Sequence, residues 1–335
     1  MRYVIIGSGN ISNTYINAIN ALESSTVVGC ISRSGRAPSA NSALPVWSEL
    51  NRVEPAYDAV IVATPNGEHH KGVLAAAMAG KHVLVEKPLD ISLTAIDKAI
   101  AACDKAGVTL AVAFQHRTAP DNQTIKKLLE QKAFGHVFAV DLAAKFYRPQ
   151  AYYDSGDYRG GYSIDGGGPF MQQASHNLDL YAWFFGVPQT VVSMLDTFNH
   201  KMEAEDHGAA LFRHGNGMIG SVVASTVAKP GFSARMEIHT EKGSITLIDD
   251  FITEWHIEGI ANPQNTQYSS QHDGATSAAV TDTRAHQAIV QNFEAVVNSG
   301  GTPIASGKSA RKTTELILAI YAANQRTEKI IEPRN

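Results

Sequence analysis

Tyr3-Val4-Ile5-Ile6 is a β-branched run, and Gly7-Ser8-Gly9 follows it with no spacer. Beyond the glycines, Ile11, Tyr15, Ile16, Ile19 and Leu22 fall on one face of a helix. A strand that passes into a helix through a three-residue turn constrains the fold more than any other feature of the chain. The alternation then continues. Thr26-Ile31 reads as a second strand, and Ala59-Ala63 is a continuous apolar run, as a parallel strand buried on both faces requires. His69 to Ala79 reads as a helix closed by Gly80, His82-Val85 as a strand, and Ser92 as the cap of a helix running to Lys105. Thr109-Phe114 completes the series. Strands alternating with helices imply right-handed crossovers, so residues 1-118 are predicted to form a doubly wound parallel sheet.

After residue 118 the pattern changes. A helix over Asp121-Gln131 precedes a long alternating strand, Val137-Phe146. Thr190-Phe198, Gly208-Phe212, Met218-Thr226, Ala234-Thr240, Ser244-Ile248 and Phe251-Ile257 follow as further strands. Helices are predicted over Pro169-Phe185, Arg284-Asn298 and Ser309-Arg326. Residues 119-335 therefore read as an α+β domain with a large, mostly antiparallel open sheet. The polar stretch 261-282 reads as a long functional loop. A length of 335 residues accommodates two such domains.

A net charge of -4 with no Lys/Arg cluster argues against nucleic acid as the main partner. No apolar stretch approaches a membrane span, and the N-terminus leads straight into Gly7 without a leader-like segment. Cys30 and Cys103 sit in apolar surroundings with no metal or redox spacing, which points to buried free thiols in a reducing cytoplasm.

Gly7-Ser8-Gly9-Asn10-Ile11-Ser12 lies between a strand and a helix, the context of a dinucleotide-binding turn. Gly7 permits the turn and Gly9 lets the backbone approach a pyrophosphate. Asn10 and Ile11 begin the helix whose free amides would hold it. Ser12 stands where a third glycine is usual; it is small enough to pack and is able to cap. The second strand ends without the carboxylate that binds the ribose of NAD. Ser32, Arg33 and Ser34 stand there instead, with Arg36 close by. A guanidinium and two hydroxyls suit a 2′-phosphate, so NADP is favoured over NAD. The alternative is that Arg33 only stacks on adenine and NAD serves as well.

Two further constellations are polar. Glu86-Lys87-Pro88 ends the strand His82-Val85, on the rim where open α/β sheets bind ligands. Asp165-Gly166-Gly167-Gly168 precedes Pro169, and a helix opening there would put Gln172, His176 and Asp179 on one face. Phe170, Ala174, Leu178 and Tyr181 would form its packed side. The competing reading is an amphipathic helix with a hydrogen-bonded surface histidine. The glycine run favours function, because it lets a backbone or ligand come close. His69-His70 does not read as a metal site: adjacent helical histidines diverge and no thiol or carboxylate cluster joins them.

With GSGNIS, ATPNGEHH at 63-70, VEKP at 85-88, DGGGPFMQQASHNLD at 165-179 and GKSARKTTELILAIYAA at 307-323, the chain resembles the glucose-fructose oxidoreductase / inositol dehydrogenase (Gfo/Idh/MocA) family. The resemblance covers nearly the whole chain. It implies a Rossmann domain followed by an α+β domain used for oligomer contacts, hence a homodimer or homotetramer. It also implies NAD(P)-dependent oxidation or reduction of a secondary alcohol or ketone on a sugar, inositol or related compound. By the same resemblance, Lys87 reaches the reacting oxygen and the nicotinamide ribose, Glu86 binds ribose hydroxyls, and Pro88 follows a cis bond. His176 becomes the general base. Where many members have an aspartate, this chain has Gln172, which can bind a hydroxyl but cannot take its proton. Thr64, Pro65, Asn66 and His69 are expected on the nicotinamide side and Gln115 at the carboxamide. Arg117, Tyr147, Arg148 and Tyr153 are expected around the substrate, each with a surface or interface role as the alternative. His286 is a further candidate near the substrate. A glycosidase that uses NAD transiently, or a non-catalytic dinucleotide sensor, is compatible with the same fold.

Overall fold

The apolar runs and helical faces assemble as their periodicities require in a computed structural model that describes residues 1-263 and 282-324. Two compact units result, each with its own sheet and core. The first comprises Met1–Gln123, Ser163–Gly166 and Ala279–Thr314; the second comprises Thr124–Tyr162, Gly167–Ala278 and Glu315–Asn335.

In the first unit the chain runs β1 (Arg2–Ile6), α1 (Asn10–Asn20), β2 (Thr26–Ile31), β3 (Val46–Trp47), β4 (Ala59–Val62), α2 (His69–Met78), β5 (His82–Val85), α3 (Leu93–Ala106) and β6 (Leu110–Val112). All strand pairs are parallel, in the order β3-β2-β1-β4-β5-β6. Alternate residues enter opposite cores. Val4, Val60, Val62, Val83 and Val85 fill one side. Tyr3, Ile5, Ile61 and Leu84 fill the other. Burial on both faces is why these strands are apolar without alternation. The order reverses between β1 and β4, which makes the carboxyl ends of the strands a ligand-binding rim. Ser92 Oγ accepts from Ala95 N as the cap of α3, and Gly107 closes that helix at a φ of 66°.

The second unit is built on α4 (Pro120–Glu130), β7 (Val137–Lys145), α5 (Gln150–Tyr153), α6 (Ser175–Phe185), β8 (Thr190–Asp196), β9 (His207–Arg213), β10 (Ile219–Ser225), β11 (Arg235–Thr240), β12 (Gly243–Ile248) and β13 (Phe251–Ile257). The sheet order is β13-β12-β11-β7-β10-β9-β8, antiparallel except for the β7–β10 pair. Val140, Leu142, Ala210, Phe212, Val222, Ile238 and Ile245 face a core shared with Leu178 and Tyr181. The opposite face leaves Val192, Met194, Leu211 and Ile219 exposed.

Two C-terminal helices follow, α7 (Arg284–Ser299) and α8 (Gly307–Asn324). Ile289, Val290 and Phe293 of α7 complete a core of the first unit. Among the described residues, 282–314 therefore groups with the N-terminal sheet.

One helix departs from expectation. α6 begins at Ser175, not Pro169. Gly168 O accepts from both Met171 N and Gln172 N, and Ala174 N reaches back to Pro169 O at 2.8 Å, so 169–174 is a run of turns. Nearly all of the polar stretch 261–282 lies outside the described residues. Among the described residues, no helix is long and apolar enough to cross a membrane.

Candidate active site

Gly7 turns the chain out of β1 at a φ of +119°, and a Cβ there would lie 2.3 Å from Ala63 O. Only glycine fits between β1 and the end of β4. Gly9 is the N-cap of α1, and no side chain caps that helix. Nothing lies within 4 Å of where a Gly9 Cβ would project. The first-turn amides at Asn10 and Ile11 and the positive end of the helix dipole thus remain for an anion. Ser12 does not cap. It is fully buried and donates to Gly7 O at 3.1 Å, bracing the turn from inside. At the end of β2, Ser32 Oγ lies 3.0 Å from both Ser8 Oγ and Ser34 Oγ, beside an exposed Arg33.

The rim of the same unit holds three buried polar atoms without a hydrogen-bond partner among the described residues: Thr64 Oγ1, Gln115 Oε1 and His286 Nδ1. Such atoms are costly and few in folded proteins. A carboxamide offers two N–H donors and a carbonyl acceptor, and a hydroxyl, an amide oxygen and a ring nitrogen are groups of the kind that bind one. With the uncapped α1 terminus, these residues fit a nicotinamide dinucleotide.

Glu86 is buried at the end of β5. Its Oε1 accepts from Tyr15 Oη at 2.7 Å and its Oε2 from Lys87 N at 3.1 Å. His286 Nε2 stands 4.0 Å from Glu86 Oε1, and its ring meets Tyr15 edge-on at 5.4 Å. Burial pushes the Tyr15 hydroxyl up, with Glu86 adding to it, so the phenol keeps its proton. Burial pushes the His286 ring down, Glu86 opposing, so it is neutral at pH 7. Lys87 is half-buried and its peptide bond to Pro88 is cis, as the family resemblance implies. Tyr15 was legible only as a residue on the packed face of α1; its hydroxyl had no sequence signal.

His69, expected on the nicotinamide side, is buried to 1% exposure. Its ring nitrogens lie 2.6 Å from Pro88 O and 2.7 Å from Thr64 O, tying the loop after β4 to the loop after β5. Burial pushes this ring's pKa down, and the two carbonyls oppose it. Asn66 Nδ2 donates to Asp165 O at 2.9 Å, and Gly67 N donates to Ile164 O at 2.9 Å, with Pro65 half-buried beside them. Arg117, expected around the substrate, is fully buried, and its Nη1 donates to Ile304 O and Ser309 Oγ, securing the returning C-terminal segment.

In the second unit, Gly167 has a φ of +142° and its Cβ would meet Tyr321 Oη at 2.0 Å. A Cβ on Gly168 would meet Glu205 O at 1.8 Å. Glu205 Oε2 accepts from Gly168 N at 3.1 Å; its Oε1 accepts from Phe170 N at 3.3 Å and Tyr321 Oη at 3.0 Å. Burial pushes the Glu205 carboxyl up to about 7 against the pull of these donors. Neither Glu205 nor Tyr321 carried a sequence signal. The turn they hold leads to Gln172 and, in the first turn of α6, His176, both half-buried. Because 169–174 is not helical, Gln172 and His176 are not related by a helical turn; Asp179, buried one turn beyond His176, is. Phe170, Ala174, Leu178 and Tyr181 are fully buried, as the packed side requires.

Tyr153, expected around the substrate, is buried, its Oη 2.7 Å from Thr226 Oγ1 and its ring 4.6 Å from that of His200. Arg148 is also buried, and its Nη1 donates to Tyr147 O at 2.7 Å. Among the described residues, no three His, Cys, Asp or Glu side chains converge as metal ligands.

Comparison with known proteins matches residues 1–114 to a family described as "Oxidoreductase family, NAD-binding Rossmann fold". Residues 122–246 match the GFO/IDH/MocA C-terminal domain. The crystal structure of the WlbA dehydrogenase from Bordetella pertussis in complex with NADH and UDP-GlcNAcA is similar, with a TM-score of 0.84 and 28% identity, covering 100% of this chain and 99% of that one. A scyllo-inositol 2-dehydrogenase (NAD(+)) of Bacillus subtilis is 27% identical over 81% of this chain and 76% of its own length. The scyllo-inositol 2-dehydrogenase (NADP(+)) IolW of the same organism is 27% identical over 59% of this chain and 54% of its own length.

Proposed function

Since the chain belongs to the Gfo/Idh/MocA family of oxidoreductases and is an NAD(P)-dependent enzyme of CH–OH groups, we propose that it moves a hydride between nicotinamide and a secondary alcohol or ketone of a carbohydrate-like substrate. Sugars, inositols and related polyols form the class, in keeping with the nucleotide sugar bound by the WlbA dehydrogenase and the inositols named for the Bacillus enzymes. The observation that carries this reading is the trio of buried, unpartnered polar atoms at the rim of the first unit, Thr64 Oγ1, Gln115 Oε1 and His286 Nδ1.

The bound cofactor supplies the redox chemistry. The chain's own residues then have one proton to move. The Lys87 ammonium stabilises alkoxide charge as it develops. His176 takes the hydroxyl proton in oxidation and returns it in reduction. Gln172 orients a hydroxyl through its amide and leaves the proton to those two groups. Glu86, held by Tyr15, presents its remaining acceptor capacity to ribose hydroxyls. Arg33 and the linked hydroxyls of Ser8, Ser32 and Ser34 support NADP as the preferred cofactor. The exposed apolar face of the seven-stranded sheet supports a homodimer or homotetramer. The two buried free thiols are in keeping with a cytoplasmic setting.

The test is an absorbance assay of sugars, inositols and their keto forms with both cofactors. The expected result is turnover of at least one such compound, with higher kcat/KM for NADP. Lys87→Ala and His176→Ala should each lower kcat by about 100-fold or more, with the cofactor Kd nearly unchanged. Normal turnover by both variants on a compound the wild type accepts would remove them from the mechanism, and a clear preference for NAD would remove the 2′-phosphate assignment.

A further inference from the structure

Tyr152 sits at the centre of a cluster that neither the glycine turn nor proton handling uses. The Arg159 guanidinium carbon lies 4.5 Å from the Tyr152 ring centroid and 5.6 Å from that of Tyr158. Arg148 lies 5.9 Å from the same Tyr152 ring. Gln173 Nε2 donates to Tyr152 Oη at 3.3 Å. Two polar atoms of this cluster are unspent: Arg159 Nε and Gln173 Oε1 are buried with no hydrogen-bond partner among the described residues. Arg159 also forms no ion pair among the described residues. Gln173 lies three residues before His176 on one continuous segment, and the whole cluster lies within the second unit.

A solvated surface arginine hydrates its N–H groups freely. Arg159 is half-buried, packed against two aromatic rings, and without a counter-ion, an arrangement that costs desolvation and earns no pairing energy. Ring stacking does, however, hold a guanidinium plane in one orientation with its in-plane donors at the edge, ready for bidentate binding of an oxyanion. Arg148 beside the same ring adds to the positive field. Gln173 Oε1 adds an acceptor suited to a hydroxyl on the same ligand.

We propose that Arg159, with Tyr152 and Gln173, binds an oxyanion carried by the substrate, so that the natural substrate is an acidic sugar or a sugar linked to phosphate and not a neutral polyol. For turnover this rests on the dehydrogenase reading; for binding it rests on these residues alone.

The test is titration calorimetry of the full chain loaded with NADP, using D-glucuronate, UDP-glucose, UDP-glucuronate and, as the neutral probe, D-glucose. At least one anionic probe should bind at least about tenfold more tightly than D-glucose. Arg159→Ala should abolish that difference, while Arg159→Lys, which keeps the charge but loses the fork, should retain only part of it. Preference confined to the glucuronates identifies a carboxylate; preference confined to the uridine diphosphate compounds identifies a phosphate. Gln173→Glu guards against an arginine variant that fails to fold: it places a carboxylate beside the anion and should weaken anionic probes only. Equal affinity for neutral and anionic probes, binding of none of them, or an anionic preference that survives in Arg159→Ala would each overturn the proposal. Anionic preference without turnover of any probe would count against the dehydrogenase reading and leave this one standing. Turnover of neutral polyols with no anionic preference would do the reverse.

Discussion

Glu205 uses both carboxylate oxygens to hold the glycine turn and Tyr321. Burial lifts its pKa from 4.5 to about 7. Between those values the folded protein keeps a proton that the unfolded chain has released. The stability from that proton is complete below pH 4.5 and is lost as pH rises through 7. The loss amounts to about 3 kcal/mol at 1.36 kcal/mol per pKa unit. Thermal melts should therefore show the wild type losing more Tm between pH 5 and pH 8 than Glu205→Gln does; parallel curves would show that Glu205 ionises normally. Lys87 and His176 are marked in the sequence by a strand end and a glycine run. Glu205, Tyr321 and Tyr15 are not, because their contacts lie 116, 37 and 71 residues away in the chain. Residue type and spacing report chemistry and facing, while depth is set by packing, so the burial of His69, Arg117 and Tyr153 was not legible.

Among the elements, the turn between β1 and α1 is the least tolerant of change. Gly7→Ala would combine a left-handed φ with a backbone clash against Ala63, and neither atom belongs to a flexible side chain. The variant should lose roughly 2–4 kcal/mol of stability, read as a lower urea midpoint. Gly9→Ala, with open space and a φ of -80°, should fold with little loss and reveal its cost in cofactor affinity instead. An equal urea midpoint for Gly7→Ala and wild type would mean the turn relaxes. The five longer parallel strands were legible because burial on both faces leaves an unbroken apolar run. β3 was not, since two residues at a sheet edge have no period. The start of α6 was misplaced because Gly168 O captures two amides and holds the chain in turns for six residues after the proline-based start signal.

At the scale of the whole molecule, the second sheet presents Val192 opposite Leu211 and Arg213 opposite Ile219 on its open face, with Met194 alongside. An apolar stripe of this kind is suited to a second copy of the chain. Light scattering after size exclusion should give a dimer or tetramer for the wild type and a smaller species for Leu211→Glu, with cofactor affinity retained. A monomeric wild type would leave the stripe without the role assigned to it. Two domains with different sheets were legible from the change of pattern after residue 118. The return of α7 to the first unit was not, because an amphipathic helix shows that it packs and not what it packs against. That return has a consequence for biosynthesis. β1 leaves the ribosome well before α7, yet the core beneath it lacks Ile289, Val290 and Phe293 until α7 has been made. The half that would hold the cofactor is begun before the second sheet and completed after it, with that sheet free to form in the interval.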